Sequence, residues 1–255
     1  MTTKIQKITN KLPEITLLFW IMKIAATTLG ETAGDLFSMT LNIGYAISSI
    51  FLFGIFVVAL ITQLRSKKYN PALYWTVILA TSTAGTTISD FMDRTLGLGY
   101  AMGTSILLST LLAILGMWYF SEKSLSVTNI KTKKVEVFYW LAILVSNTLG
   151  TALGDFLAHN SGLGFTGGAL LVGALITITV VARYFTKISP VILFWVAFIL
   201  TRPFGATIGD LLTKNPNDGG LGFGTIGSSA VLLSILIIFI LYTFNKEKRA
   251  TLRLD

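Results

Sequence analysis

The chain has 255 residues, 53% of them apolar and only 13% charged, with a mean hydropathy of +0.73. Soluble domains carry roughly 25% charged residues, so the composition points to a membrane protein and away from an ordinary globular domain. Cysteine is absent, which removes disulfides, thiolate metal sites and cysteine nucleophiles together, and the net charge of +8 sits mostly in short loops rather than on a nucleic-acid-binding face.

Eight apolar runs follow one another at 13–34, 44–63, 71–89, 99–120, 136–154, 164–185, 190–209 and 222–244. Each is close to the ~20 residues that a spanning helix requires. None alternates in the manner of a lipid-facing barrel strand. The first run follows Lys4, Lys7 and Lys11 as a signal peptide would, but it is too long for an h-region and aligns with the runs at 71 and 190, so it is expected to be a retained helix. Pro13, Pro71 and Pro190 stand at or near the first turn of odd runs, where a missing N–H costs little; the third repeat has Glu136 there. Sixteen Lys and Arg residues fall on the side of the termini and the 64–70 and 121–135 loops, against Arg94 and Lys214 on the other side. That bias predicts a multi-pass protein of the cytoplasmic (inner) membrane with both termini cytoplasmic.

The runs form repeats. A tryptophan is followed 15 residues later by an aspartate four times: Trp20/Asp35, Trp75/Asp90, Trp140/Asp155 and Trp195/Asp210. A small residue precedes each aspartate (Gly34, Ser89, Gly154, Gly209), and a glycine lies five residues before it (Gly30, Gly85, Gly150, Gly205). A Gly-aromatic pair follows at Gly44-Tyr45, Gly99-Tyr100 and Gly164-Phe165; the fourth, Gly222-Phe223, is delayed by three residues in the Asn215–Gly220 loop. Fixed-period similarity decides architecture before local reading does. It predicts an all-α protein of eight transmembrane helices arranged as four tandem hairpins. The first half spans 1–120 (hairpins 13–63 and 71–120) and the second 137–244 (hairpins 137–185 and 190–244). A cytoplasmic connector over 121–136 joins them, and a basic tail occupies 245–255. Units with an even number of helices share one orientation, so their pseudo-symmetry axis is expected along the membrane normal.

This pattern resembles a family of bacterial integral membrane proteins of unknown function, built of four tandem two-helix repeats that are each marked by a tryptophan. The resemblance rests on Trp20, Trp75, Trp140 and Trp195 with their fixed distance to Asp, and it covers essentially the whole chain. It implies an eight-helix fold and brings no assured activity; some proteins of this broad kind are suspected metal exporters.

On each odd helix the offsets +7, +11 and +15 from Trp lie on one stripe. The stripes read Thr27-Glu31-Asp35, Ser82-Thr86-Asp90, Asn147-Thr151-Asp155 and Arg202-Ala206-Asp210, with Lys23 extending the first one inward. A charge at the bilayer centre costs at least ~2.5–3.5 kcal/mol, so the stripes are expected to face one another or a water-filled cavity. Glu31, Asp35, Asp90, Asp155 and Asp210 form the candidate cation or metal set. Thr27, Ser82, Thr86, Asn147 and Thr151 are supporting ligands, and Lys23 and Arg202 are partners of those acids or binding groups for an anion. The donors are hard oxygens, suited to Na⁺, Mg²⁺, Ca²⁺ or Mn²⁺. A carboxylate in a last helical turn meets the negative end of the macrodipole. Two arrangements relieve this: the small residue ends the helix and Asp caps a short segment such as Leu36–Thr40 or Leu211–Lys214, or a cation sits among carboxylates and freed carbonyls. Four capping aspartates would be architecture alone.

The remaining signals are bland. His159, the only histidine, reads as solvated, the methionines as packing, and the tryptophans as anchors or packing residues. Small pairs near the starts of even helices (Gly44/Ser48, Gly99/Gly103, Gly164/Gly168, Gly224/Ser228) read as close-packing positions. Only eight residues separate Asp35 from Gly44, too few for the pore helix of a potassium-type filter. Four equivalent aspartates argue against an aspartyl protease, and no metalloprotease or phosphate-loop motif is present, so an enzyme is not expected. The expectation is a secondary transporter, lipid-embedded and without cofactor, that moves a hard cation such as Mn²⁺, Na⁺ or H⁺. A small organic anion held by Lys23 and Arg202, and a non-transporting structural or sensor protein, are the alternatives.

Overall fold

A computed structural model describes residues 12–128, 130 and 132–252. Lys4, Lys7, Lys11, Lys131 and Arg253, which entered the charge count, lie outside them, as do the side chains of Lys248 and Arg249. The described residues form eight long α-helices and no strand: α1 (Leu17–Asp35), α2 (Tyr45–Arg65), α3 (Pro71–Asp90), α4 (Tyr100–Glu122), α5 (Lys133–Asp155), α6 (Gly164–Phe185), α7 (Pro190–Thr213) and α8 (Thr225–Leu252). Local chemistry sets the starts of the odd helices. Thr16, Asn70 and Thr132 accept hydrogen bonds from backbone N–H groups three residues on, and Pro71 and Pro190 occupy the first helical position. The tail expected from 245 is helical as far as Leu252, as the end of α8.

Six helices (α2 and α4 to α8) are long and apolar enough to cross a membrane. The other two, α1 and α3, carry Lys23, Glu31 and Asp35, and a dense run of Thr and Ser, respectively. Burial separates two layers. In α5 and α7, 67% and 61% of the most apolar stretch is buried, against 17–28% in the even helices, so the odd helices are the interior and the even ones the apolar rim.

The layers are cyclic. α1 packs on α3, α3 on α5, α5 on α7, and α7 returns to α1, closing a ring of four. Each even helix lies chiefly on the odd helix of the following repeat: α2 on α3, α4 on α5, α6 on α7, and α8 back on α1. The repeated small residues make this ring possible. A Cβ on Gly30, Gly85, Gly150 or Gly205 would run into Ser82, the Asn147–Thr148 backbone, Arg202 or Thr27, in each case at or beside offset +7 of the next repeat. A Cβ on Gly34, Gly154 or Gly209 would press on Thr86, Ala206 or Glu31, all at offset +11 of the next repeat. Small residues that let backbones approach are how helices associate where no hydrophobic gain drives them.

Two sequence expectations are corrected. The odd helices do not break at Gly-Asp or Ser-Asp. Asp35, Asp90 and Asp155 keep right-handed helical backbone, and the chain runs on through one π-helical turn at Leu36–Thr40, Phe91–Thr95 and Phe156–Asn160, with no side-chain cap from any of the three. α7 stays α-helical through Asp210 to Thr213 and then meets a 3₁₀ turn at Pro216–Asp218. A continuing helix satisfies the backbone groups that a cap would have served, which frees the carboxylates for other partners. The first members of the even-helix pairs are not packing positions either. Gly44, Gly99, Gly164 and Gly224 have φ between +65° and +82° with open space around them, so they are selected for a left-handed turn. The second members, Ser48, Gly103, Gly168 and Ser228, are the ones that pack.

Candidate functional site

The four stripes converge inside the ring and stack into levels, each level one offset from Trp. At offset −1 lie Phe19, Tyr74, Tyr139 and Phe194. The Tyr74 and Tyr139 hydroxyls are 2.7 Å apart, and the Phe19 and Phe194 rings are 6.4 Å apart. Trp75, Trp140 and Trp195 are buried against them as packing residues, and the Trp195 indole donates to the Leu125 carbonyl at 3.0 Å. An aromatic layer thus closes the axis at the Trp end.

Lys23 lies one level in and is fully buried. Among the described residues it pairs with no carboxylate; its ammonium donates to Asn147 Oδ1 at 3.1 Å and sits 4.1 Å from the Phe198 ring centroid. The Asn147 amide in turn donates to Thr81 Oγ1 at 2.8 Å. Lys23 therefore does not neutralise the acids as expected: eight residues along α1, about 12 Å, separate it from Glu31. Thr27 donates to the Thr201 carbonyl at 3.1 Å across the α1–α7 crossing, whereas Ser82, buried against Gly30, has no hydrogen-bond partner among the described residues.

At the next level Arg202 reaches along the axis. Its Nη2 donates to Glu31 Oε2 at 2.8 Å, to Thr86 Oγ1 at 2.5 Å and to Thr151 Oγ1 at 2.6 Å. Thr86 and Thr151 also donate to the same glutamate oxygen, each at 3.3 Å. Arg202 is fully buried and Glu31 is 3% exposed, so this pair is shielded from water and each charge depends on the other.

The aspartates form the level above, split into two pairs. Arg94 bridges one pair, with Nε 2.9 Å from Asp90 and Nη2 3.4 Å from Asp155. Lys214 bridges the other, donating to Asp35 and lying 3.2 Å from Asp210. These are the two basic residues that the charge count left on the far side, and each stands four residues after an aspartate, one turn on. Burial alone would lower the Lys214 ammonium, but Asp210 and Asp35 outweigh it and hold the group above its ordinary value. Arg94 is raised in the same way, against burial, by Asp90 and Asp155. Beside it, burial pushes the Asp93 carboxyl up to about 6, against the weaker pull of Ser89 and Arg94; it rests on Gly103 of α4.

Of the five acids expected as one set, three come together: Glu31, Asp35 and Asp210 each offer a carboxylate oxygen within 4.8 Å of the others. Asp90 and Asp155 are held apart by the Arg94 bridge. The cluster is off-axis, between the first and fourth repeats, and its oxygens could hold a hard cation. Beyond it opens a cavity of about 290 Å³ lined by Met39, Arg94, His159, Phe165, Lys214 and Asp218. Four of these residues are the offset +19 positions. The aromatic residues of three Gly-aromatic pairs stand at this cavity: Phe165 lines it, Arg94 lies over Tyr45 and Tyr100 at 5.9 and 5.6 Å, and His159 stacks on Tyr100 at 5.6 Å. Sequence reasoning passed over Arg94, Lys214, Asp93 and the aromatic layer, although the layer and the two bridges stand at constant offsets from Trp.

A family model described as Repeat of Unknown Function (DUF347) matches the chain four times, over residues 18–69, 73–124, 138–189 and 193–249, each match beginning two residues before a tryptophan. No curated protein and no solved structure is found to match.

Proposed function

The chain belongs to this four-repeat family, and from the chemistry of its interior we propose that it is a secondary transporter of a hard cation, without enzymatic activity. In this reading all eight helices cross the inner membrane, the pseudo-fourfold axis lies along its normal, and both termini are cytoplasmic. The aromatic layer then closes the cytoplasmic side, and the cavity faces out. The observation that carries the proposal is the Glu31–Asp35–Asp210 cluster, three buried carboxylates within 4.8 Å of one another. Buried acids inside a membrane protein are costly, and ion or proton pathways are where they occur. Carboxylate and hydroxyl oxygens favour Mn²⁺, Mg²⁺ or Na⁺ over thiophilic metals. Glu31 connects the cluster to the axis, because Arg202 holds one of its oxygens while Asp35 and Asp210 lie close by. Loading and unloading the cluster therefore changes the partner that keeps Arg202 in place, and this couples the cation, or a proton in its stead, to the centre of the ring.

One observation favours a second reading. Arg202 Nε and Nη1 are buried without a hydrogen-bond partner among the described residues, and Lys23 lies in the same interior facing an amide and a ring. Transport of a small organic anion would use those donors. Flux of Mn²⁺, Na⁺ and H⁺ in proteoliposomes, for wild type and Glu31→Gln, tests the first reading, which expects cation flux that the substitution abolishes. Absence of cation flux together with a silent substitution overturns it. Organic-anion flux lost in Arg202→Gln establishes the second reading instead, and loss of stability with no flux of either kind leaves a structural protein.

A further inference from the structure

Resting on the cation reading above, we propose that Lys214 is the resident occupant of the cation site, holding the place of the transported ion between Asp35 and Asp210 and yielding it by swinging into the cavity toward Asp218. Its ammonium contacts two of the three clustered carboxylates and reaches no other acid at that level. A tethered cation there keeps the acids neutralised while the site is empty of ion. Without it, Asp35 and Asp210 would lose the basic side chain that contacts both of them, leaving Arg202 on Glu31 and Arg94 on the neighbouring pair.

The two bridges are not equivalent. Arg94 splits a planar fork across Asp90 and Asp155 and is further held between Tyr45 and Tyr100. A guanidinium in that geometry is a fixed clamp. Lys214 is a point charge on a flexible stem, and its backbone has left the helix for extended φ/ψ of −69° and 157°. Its side chain is 19% exposed and already lines the cavity, where it also contacts the Met39 sulfur at 3.7 Å. Asp218 lines the same cavity on the 3₁₀ turn Pro216–Asp218, which belongs to the loop lengthened by three residues in the fourth repeat alone. The repeat that supplies the lysine thus also supplies a second carboxylate for it. Of the other offset +19 positions, Arg94 is committed to Asp90 and Asp155, and Met39 and His159 bring no fixed charge to Asp35.

Calorimetric titration of the purified full chain with Mn²⁺ tests the exchange. Lys214→Met is expected to bind about tenfold tighter or better than wild type, because the competitor is gone, and Lys214→Arg to bind more weakly, because the charge stays and clamps. Asp218→Asn is expected to weaken binding about threefold or more in the wild-type background and to have no effect on top of K214M, since Asp218 acts only by receiving the lysine. Equal weakening in both backgrounds would mean that Asp218 merely adds negative field, and it overturns the exchange while leaving the cation site intact. The exchange is likewise overturned if K214M binds as wild type does while Glu31→Gln abolishes binding. No Mn²⁺ binding by any variant overturns the cation reading and the exchange together.

Discussion

Arg202→Met removes the charge paired with Glu31 while keeping much of the side chain's length. The two charged atoms are 2.8 Å apart, with Arg202 fully buried and Glu31 3% exposed. At that distance an effective dielectric of about 20 gives an attraction of about 6 kcal/mol, which the cost of desolvating both groups largely offsets. The net worth of the pair is therefore small, but the cost of halving it is not. Leaving a buried carboxylate without its partner costs about 3–5 kcal/mol, and the Thr86 and Thr151 hydroxyls lose a charged donor as well. The expected outcome is a loss of about 3–5 kcal/mol for Arg202→Met, with the double variant Glu31→Gln/Arg202→Met returning to within about 1 kcal/mol of wild type. Reversible unfolding in mixed detergent–SDS micelles, followed by tryptophan fluorescence, measures both, since three of the five tryptophans are buried in the ring. A single Arg202→Met variant within about 1 kcal/mol of wild type would refute the mutual dependence of the two charges.

The same assay separates packing glycines from idle ones. Gly205→Ala is expected to cost about 1–3 kcal/mol, because its Cβ falls on Thr27, whereas Gly116→Ala meets nothing within 4 Å and is expected to be neutral or up to about 1 kcal/mol stabilising. Equal effects would mean that the α7–α1 crossing does not need its close approach. Asp93 gives a pH prediction. Its folded carboxyl is raised to about 6 from an ordinary value of 3.8, so the folded state binds the proton more tightly and loses stability as pH rises from about 4 to about 6. The stability of Asp93→Asn relative to wild type is expected to climb across that window and to be flat on either side of it. A difference that does not change between pH 4 and 6 refutes the assignment.

The apolar runs placed most helix ends to within about four residues, though α8 continues eight residues past its run, and the Trp-to-Asp spacing exposed the repeats and the convergence of the stripes, because burying polar residues in a membrane leaves few alternatives. It did not expose which helix each even segment lies on. An apolar face in lipid has no strong preference among partners, so the hairpin looks like the natural unit while the contacts run to the next repeat. A carboxylate at a helix C-terminus conflicts with the helix dipole, and capping and cation binding both stood open as its relief. Arg94 and Lys214, four residues further on, resolve that conflict with charge, one from the π turn Phe91–Thr95 and the other from the residue that follows α7. Counting those two as loop charges for topology hid their position one turn above the acids. His159 read as a solvated loop residue and is exposed, and its place at the cavity against Tyr100 and Phe165 is what local sequence does not reveal.

The even helices' habit of clasping the next repeat has a consequence for how the protein is made. α8, made after the other seven described helices, clasps α1, made before them, and α7 completes the seam beside it. In the proposed eight-helix topology, while the earlier hairpins are inserting, the face of α1 that bears Thr27, Glu31 and Asp35 lacks its neighbours from the fourth repeat. An early-synthesised segment normally assembles first, but here it waits for the fourth repeat. The interval is a window in which an insertase or a chaperone within the bilayer would have a charged, unfinished surface to hold.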